Sequence, residues 1–259
     1  MSETTSRFLP GTFAPDPRPA SRMAMLTAQT GLELKLLLRN GEQLLLTMFI
    51  PITLLIGLTL LPFGDLGEHR VDRIVPMVMM TAVMSTAFTG QAIAVGFDRR
   101  YGALKRLGAT PLPRWGVIAG KCAAVLIVVV LQAMLLGAIG VALGWRPGIG
   151  GLALGALVIA LGTATFAAMG LLLGGTLKAE VVLALANILW FIMLGIASLV
   201  LVDSLPTALT VIARLIPSGA LAYALDAALS GSIDWFGVAV LAVWGVVCGW
   251  LATRLFRFH

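Results

Sequence analysis

Apolar residues gather in six long blocks along the chain, at 43–63, 74–97, 117–144, 151–177, 181–202 and 235–256. A helix needs about 20 mostly apolar residues to cross the hydrocarbon core of a bilayer, so each block predicts a transmembrane helix. The third and fourth blocks exceed that length and predict tilt or extension past the lipid. Residues 206–230 are also apolar, but Pro206, Pro217, Gly219 and Gly231 divide this stretch into halves too short to cross. It predicts a re-entrant or outer helical hairpin before the last span. Ahead of the first span, 21–42 mixes Leu26, Leu32, Leu34 and Leu36 to Leu38 with Glu33, Lys35, Arg39 and Glu42. This segment is too charged to cross and too apolar to float free, which predicts a helix lying in the cytoplasmic interface. The alternative is a first span that continues into the cytosol.

Composition agrees with the pattern. The 259 residues are 59% hydrophobic and 12% charged, with a mean hydropathy of +1.00, against about 45–50% apolar and 25% charged in soluble domains. The fold class is therefore an all-α polytopic membrane protein with six transmembrane helices. The net charge of +6 has its explanation in topology and calls for no nucleic-acid partner. Fourteen Lys and Arg fall on the side shared by the termini and the loop after span two, and four on the other. The excess marks the cytoplasmic side, so both termini and that loop face the cytosol. Residues 1–20 carry Pro10, Pro15, Pro17 and Pro19 without an apolar core, predicting a disordered cytoplasmic tail and no cleaved leader. Three regions result: the tail at 1–20, the interfacial helix at 21–42 and the transmembrane domain at 43–259.

The densest charge lies in the loop after the second span, FDRRYGALKRLGATPLPRWGVIAGK. Tyr101, Leu104 and Leu107 recur at helical spacing while Arg99, Arg100, Lys105 and Arg106 point elsewhere. This predicts a short amphipathic helix closed by Pro111 and Pro113. Its apolar stripe would lie on lipid or in a partner's groove, unless the loop serves orientation alone.

The order Asp98, Arg99, Gly102, Leu104, Leu107, Thr110, Pro111, Gly120, Lys121 resembles the corresponding loop of ABC-2 type transporter permeases, and most nearly the daunorubicin-resistance type of drug-efflux permease. The likeness extends to the N-terminal interfacial helix, the six spans and the Pro-marked hairpin. It implies that 98–116 is a coupling loop docking on a separate cytosolic ATP-binding subunit, with Asp98, Arg99, Arg100, Gly102, Leu104, Leu107, Thr110 and Pro111 as the coupling residues. It also implies a second permease subunit, identical or related, and export across a bacterial cytoplasmic membrane. Family members often carry acidic residues or Thr at the positions of Arg100, Ala103 and Lys105. The basic residues here imply an acidic docking surface on the partner.

Other chemistries find little support. A phosphate-binding P-loop needs four residues between its first Gly and Gly-Lys, followed by Ser or Thr. GVIAGKC at 116–122 is one residue short and ends in Cys. Lys121 reads instead as an anchor snorkelling to the membrane surface. ATP and Mg²⁺ would therefore sit on the partner, and this chain would bind no cofactor. Away from their ends the spans carry no ionisable residue, which disfavours proton coupling. Their polar content is limited to groups such as Gln91, Gln132, Asn187 and the threonines 47, 53, 81, 163 and 165. No ring of carboxylates marks an ion channel. Asp226 reads as a solvated carboxylate at the outer boundary.

His69 and His259 lie outside the spans, so no histidine-based catalytic pair and no metal-ligand cluster is expected. Cys122 and Cys248 read as small packing residues. Glycine pairs 140/144, 151/155 and 170/174 allow close helix approach, within the chain first and between subunits second. Methionines 77, 79, 80 and 84 fill a core or line a surface for varied apolar ligands. Gln91, Asn187 and Met84 are the candidates for a translocation path. The cargo expected is an amphipathic drug, or else a lipid-linked glycan. A non-transporting membrane scaffold and a gradient-driven transporter are the readings of another class.

Overall fold

The computed structural model describes residues 20–61, 70–199 and 206–256. The tail at 1–20 falls almost wholly outside these, as do both histidines. Within them every regular element is helical. Helix α1 (Arg22–Arg39) opens on Ser21, whose hydroxyl accepts from the Ala24 amide, as an N-cap does. The chain turns at Asn40 (φ −82°, ψ 78°) before α2 (Gly41–Leu60). That break separates α1 from the first expected span.

The second expected span runs unbroken from Arg70 to Arg100 as α3 (Arg70–Val83), a π-helical segment (Met84–Gly90) and α4 (Gln91–Arg100). A short α5 (Ala103–Gly108) then leads into α6 (Arg114–Ala142), α7 (Ile149–Thr176) and α8 (Ala179–Ser198). Helices α9 (Thr207–Leu215) and α10 (Pro217–Leu229) precede the last span, α11 (Trp235–Leu255).

Among the described residues five helices are long and apolar enough to cross a membrane: Arg70–Arg100, α6, α7, α8 and α11. Helix α2, the first of the six expected spans, has 20 residues and an apolar stretch at Thr47–Leu60. Helices α9 and α10 pass the same test only as a pair, and they meet at 101°. Pro217 begins α10 because its fixed φ suits a first helical turn, while the preceding Ile216 is held extended. The hairpin expected from the proline pattern is thus a sharp two-helix bend. Arg214 fastens it: its guanidinium donates to Asp234 and lies 5.3 Å and 5.1 Å from the ring centres of Tyr223 and Phe236. Arg214→Met is expected to cost about 1–2 kcal/mol, the value of a charge-assisted hydrogen bond discounted for partial exposure. Faster proteolysis within 206–216 would report the loosened bend.

Helix α7 is apolar on all sides and runs through the centre of the bundle, as such a helix should. Its glycines let neighbours come close. Gly170 and Gly174 face the carbonyls of Phe88 and Ala92 on the second span, and Gly151 and Gly155 face Leu229 of α10. Leu221, two turns earlier in α10, covers Gly162 at the middle of α7. Two of the three expected glycine pairs therefore pack helices within the chain. In the third, Gly140 meets Val75 but Gly144 meets nothing. Gly144 takes φ +104° and ends α6: its amide and that of Trp145 return to the carbonyls of Val141 and Gly140, a glycine-dependent helix stop. Met79, Met80 and Met84 lie buried in the main core, the filling role weighed for the methionine run. Cys248 is buried in the bundle and Cys122 packs against the core.

Candidate functional site

The end of the second span and the loop after it form a corner where α1, α4, α5, α6, α7 and α8 converge. Its first feature is a charged cluster inside the protein. Lys121 on α6 is 4% exposed. Its ammonium donates to Glu33 Oε2 on α1 at 2.8 Å and to Asp98 Oδ2 on α4 at 2.8 Å. Gln29, one turn before Glu33, donates to Glu33 Oε1 at 2.7 Å. The adjoining Gly120 makes this possible, since a Cβ there would lie 2.5 Å from Gln29 Cγ. Gly-Lys at 120–121 is thus a docking step for α1: the glycine admits the helix and the lysine fixes it. This corrects the sequence reading of Lys121 as a snorkelling anchor. A long cationic stem can run either way from a helix end, and here two inward carboxylates outweigh the membrane surface.

The face that α1 turns inward is polar, with Gln29 and Glu33 buried, while Met23, Leu32, Leu36 and Leu38 stay exposed. Sequence reasoning missed Gln29 and Glu33. Their spacing of four residues, one helical face, is the signal that could have found them.

Three consecutive charges on α4 reach three different helices. Asp98 goes to α6 as described. Arg99 Nη1 donates at 3.3 Å to the Gly174 carbonyl in the last turn of α7, where the helix dipole favours a cation. Arg100 pairs with Glu180 at 2.6 Å in the first turn of α8 and stands over the Phe97 ring. These three of the eight expected coupling residues therefore hold partners within the chain.

Gly102 then takes φ +74°, a backbone region in which an L side chain is strained, and turns the chain into α5. Leu104 is fully buried with Val95, Val117, Leu171, Ala252 and Phe256, and Leu107 packs against the same group. The apolar stripe expected to face lipid or a partner is thus split. Leu104 anchors α5 inward, whereas Tyr101 is exposed and stacks on Phe97. What remains outward is Tyr101, Ala103, Lys105, Arg106 and the turn at 108–111. There Thr110 Oγ1 donates to the Leu107 carbonyl at 2.6 Å and Pro111 is exposed.

Deeper in the bundle a second polar chain joins three helices. Thr86 Oγ1 donates to Gln132 Oε1 at 3.0 Å, and Gln132 Nε2 donates to the Thr47 carbonyl of α2 at 3.1 Å. Gln132 is 1% exposed, so both ends of its amide require such partners. Gln91 lies beside this chain, lining a cavity of about 280 Å³. Of the other two path candidates, Met84 is fully buried in the core. Asn187 lies on the exposed face of α8, its amide donating to the Leu183 carbonyl at 2.7 Å. The three are not brought together in one site.

Residues 63–254 match the family described as ABC-2 family transporter protein. The chain belongs to that family. The match takes in the whole corner except α1 and α2, and it covers all five long spans. No curated protein matches the chain. The protein is accordingly a multi-pass membrane permease subunit of an ABC transporter, a membrane component without an ATPase site of its own. Membership implies partnership with an ABC ATP-binding subunit. The segment 116–122, which imitates a P-loop in sequence, is part of helix α6 in this permease, with its lysine held by two carboxylates.

Proposed function

We propose that this permease exports amphipathic or hydrophobic compounds across a bacterial cytoplasmic membrane. It would work with a second permease subunit and with cytosolic subunits that hold ATP and Mg²⁺. The observation that carries the reading is the cytosolic corner, whose outward surface is small and basic while its inward side is tied to four helices. A push on Tyr101, Lys105 or Arg106 travels through Leu104 and the Asp98, Arg99 and Arg100 contacts into α6, α7 and α8, and through Lys121 into α1. ATP-driven closure of the partner would tilt the first, second and fifth spans and open a path between two permeases. Gln91 and Asn187 are the polar residues that such a path would meet, and Met84 would support its wall. With both termini cytosolic, the α9–α10 bend would dip into the membrane from outside and close the outer end.

The test is co-purification from the native membrane in mild detergent, comparing the wild type with Lys105→Glu/Arg106→Glu and with Gly102→Pro. Proline fixes φ near −65° and cannot adopt the +74° found at Gly102. A stoichiometric ATP-binding protein is expected with the wild type. The double charge reversal should reduce its recovery about tenfold or more, since like charges across an interface cost several kcal/mol, and Gly102→Pro should release it. Unchanged recovery with both variants would remove the loop from the docking site. A wild-type chain that repeatedly emerges alone would favour a scaffold.

A further inference from the structure

The cavity beside Gln91 has a rim, a floor and an unused donor. Its rim is the partly buried Leu37 and the exposed Asn40, where α1 breaks into α2. Its buried floor is Thr47, Thr86, Gln91 and Val128. Gln91 is 4% exposed, and its Nε2 has no hydrogen-bond partner among the described residues. A buried amide nitrogen left unpaired costs on the order of 1–3 kcal/mol, and nearly all such groups in native proteins have a partner or an explanation. Thr86 and Gln132 bond to each other and to the Thr47 carbonyl, and neither accepts from this nitrogen. The nitrogen belongs to a residue that lines a space large enough for a ring system, close to the small end of ligand pockets at roughly 300 Å³.

The surroundings select the chemistry. Among the described residues no charged side chain lines the cavity, and the cluster of Glu33, Asp98 and Lys121 carries two formal negative charges to one positive. An anion would enter a space whose described lining offers no cation, at high desolvation cost. An uncharged molecule with a carbonyl or ether oxygen would accept from Gln91 Nε2 and rest its apolar body on Ile93, Phe97 and Val128.

We propose that this cavity, reached from the cytosolic membrane surface between α1 and α2, binds the uncharged hydrogen-bond-accepting end of an amphipathic molecule through Gln91 Nε2. The proposal deepens the export reading by naming the substrate's chemistry on this chain, yet the binding itself needs neither ATP nor a partner.

Photolabelling of the purified full chain in lipid nanodiscs tests it with 4-benzoylbenzamide, a neutral diaryl ketone, and with 4-benzoylbenzoate, its anionic counterpart. Adducts are mapped by mass spectrometry. The neutral probe is expected to label wild-type residues 91–97 and 128 preferentially. Gln91→Leu should lower that labelling about five- to tenfold, the loss of one buried hydrogen bond. Ala94→Phe, which fills the cavity from a half-exposed position, should abolish it, and the benzoate should label this region at least about tenfold less than the amide. Both variants are to be compared at equal folded fraction by size exclusion. Labelling spread evenly over lipid-facing helices would overturn the proposal. So would labelling indifferent to both substitutions, or a benzoate that labels as well as the amide. Specific labelling of a chain that recruits no ATP-binding subunit would uphold the site while removing the export reading.

Discussion

Lys121→Met is expected to be the most destabilising single change at the charged corner of the permease, lowering stability by about 3–5 kcal/mol. The substitution keeps the length and apolar stem of the side chain and removes only the charge. Glu33 and Asp98 would then turn two carboxylates toward one point with no cation between them. The Lys121 ammonium is almost wholly enclosed, and the Glu33 side chain is only 10% exposed. Asp98 is 37% exposed and keeps some access to water, which places the cost at the lower end. The companion experiment neutralises the whole cluster with Glu33→Gln, Asp98→Asn and Lys121→Met together. Replacing a buried ionic group as a unit is often neutral, so this triple variant should regain most of the loss. Thermal unfolding of the detergent-solubilised chain measures both. A Lys121→Met protein within about 0.5 kcal/mol of the wild type, the range of ordinary surface changes, would mean that the cluster does not hold α1 to α6.

Gly174→Val is expected to cost about 3 kcal/mol or more, because the added atoms meet backbone. A Cβ on Gly174 would collide with the Ala92 carbonyl oxygen and come within 2.9 Å of Val95 Cβ. Neither can swing aside as a flexible side chain can. Relief requires α7 and α4 to separate, at the upper end of the usual 1–3 kcal/mol of overpacking. The same movement would draw the Gly174 carbonyl from Arg99, so the charged corner should loosen along with the core. Gly150 near the start of the same helix is the control, since a Cβ there meets nothing within 4 Å. Gly150→Ala should be neutral or stabilise by up to about 1 kcal/mol through helix propensity. Equal effects of the two substitutions would show that the close approach of α7 to the second span contributes nothing to stability.

The spans were legible because a bilayer imposes a length, and the six apolar blocks return as helices displaced by a few residues at their ends. The bend between α9 and α10 was legible because Pro217 can begin a helix and cannot continue one. The corner was legible only as a place. Its charge and prolines announced a turn between spans, but not the direction of each side chain. Leu104 and Tyr101 share a helical spacing, and only the neighbouring α7 and α11 decide that one is buried and the other exposed. Lys121 looked like any lysine near a membrane surface because Glu33 stands 88 residues away. A pairing across that separation leaves no local periodicity. Gln91 was singled out for its polarity inside a span, whereas its unpaired nitrogen depends on where the neighbouring helices place their acceptors.

The π-helical segment at Met84–Gly90 gives the second span a property that a uniform helix lacks. A π turn contains an extra residue relative to an α turn, and one residue corresponds to about 100° around an α-helix. If the segment migrates along the span, only the residues it passes change heading, while both ends keep their orientation. Gln91 is the first residue beyond it, at the start of α4. A shift of the segment by one turn toward Asp98 would swing Gln91 about a quarter of a revolution away from its cavity, leaving the ties of Asp98, Arg99 and Arg100 in place. The second span thus contains a dislocation, a defect whose travel rotates one short stretch of a helix without unwinding the rest.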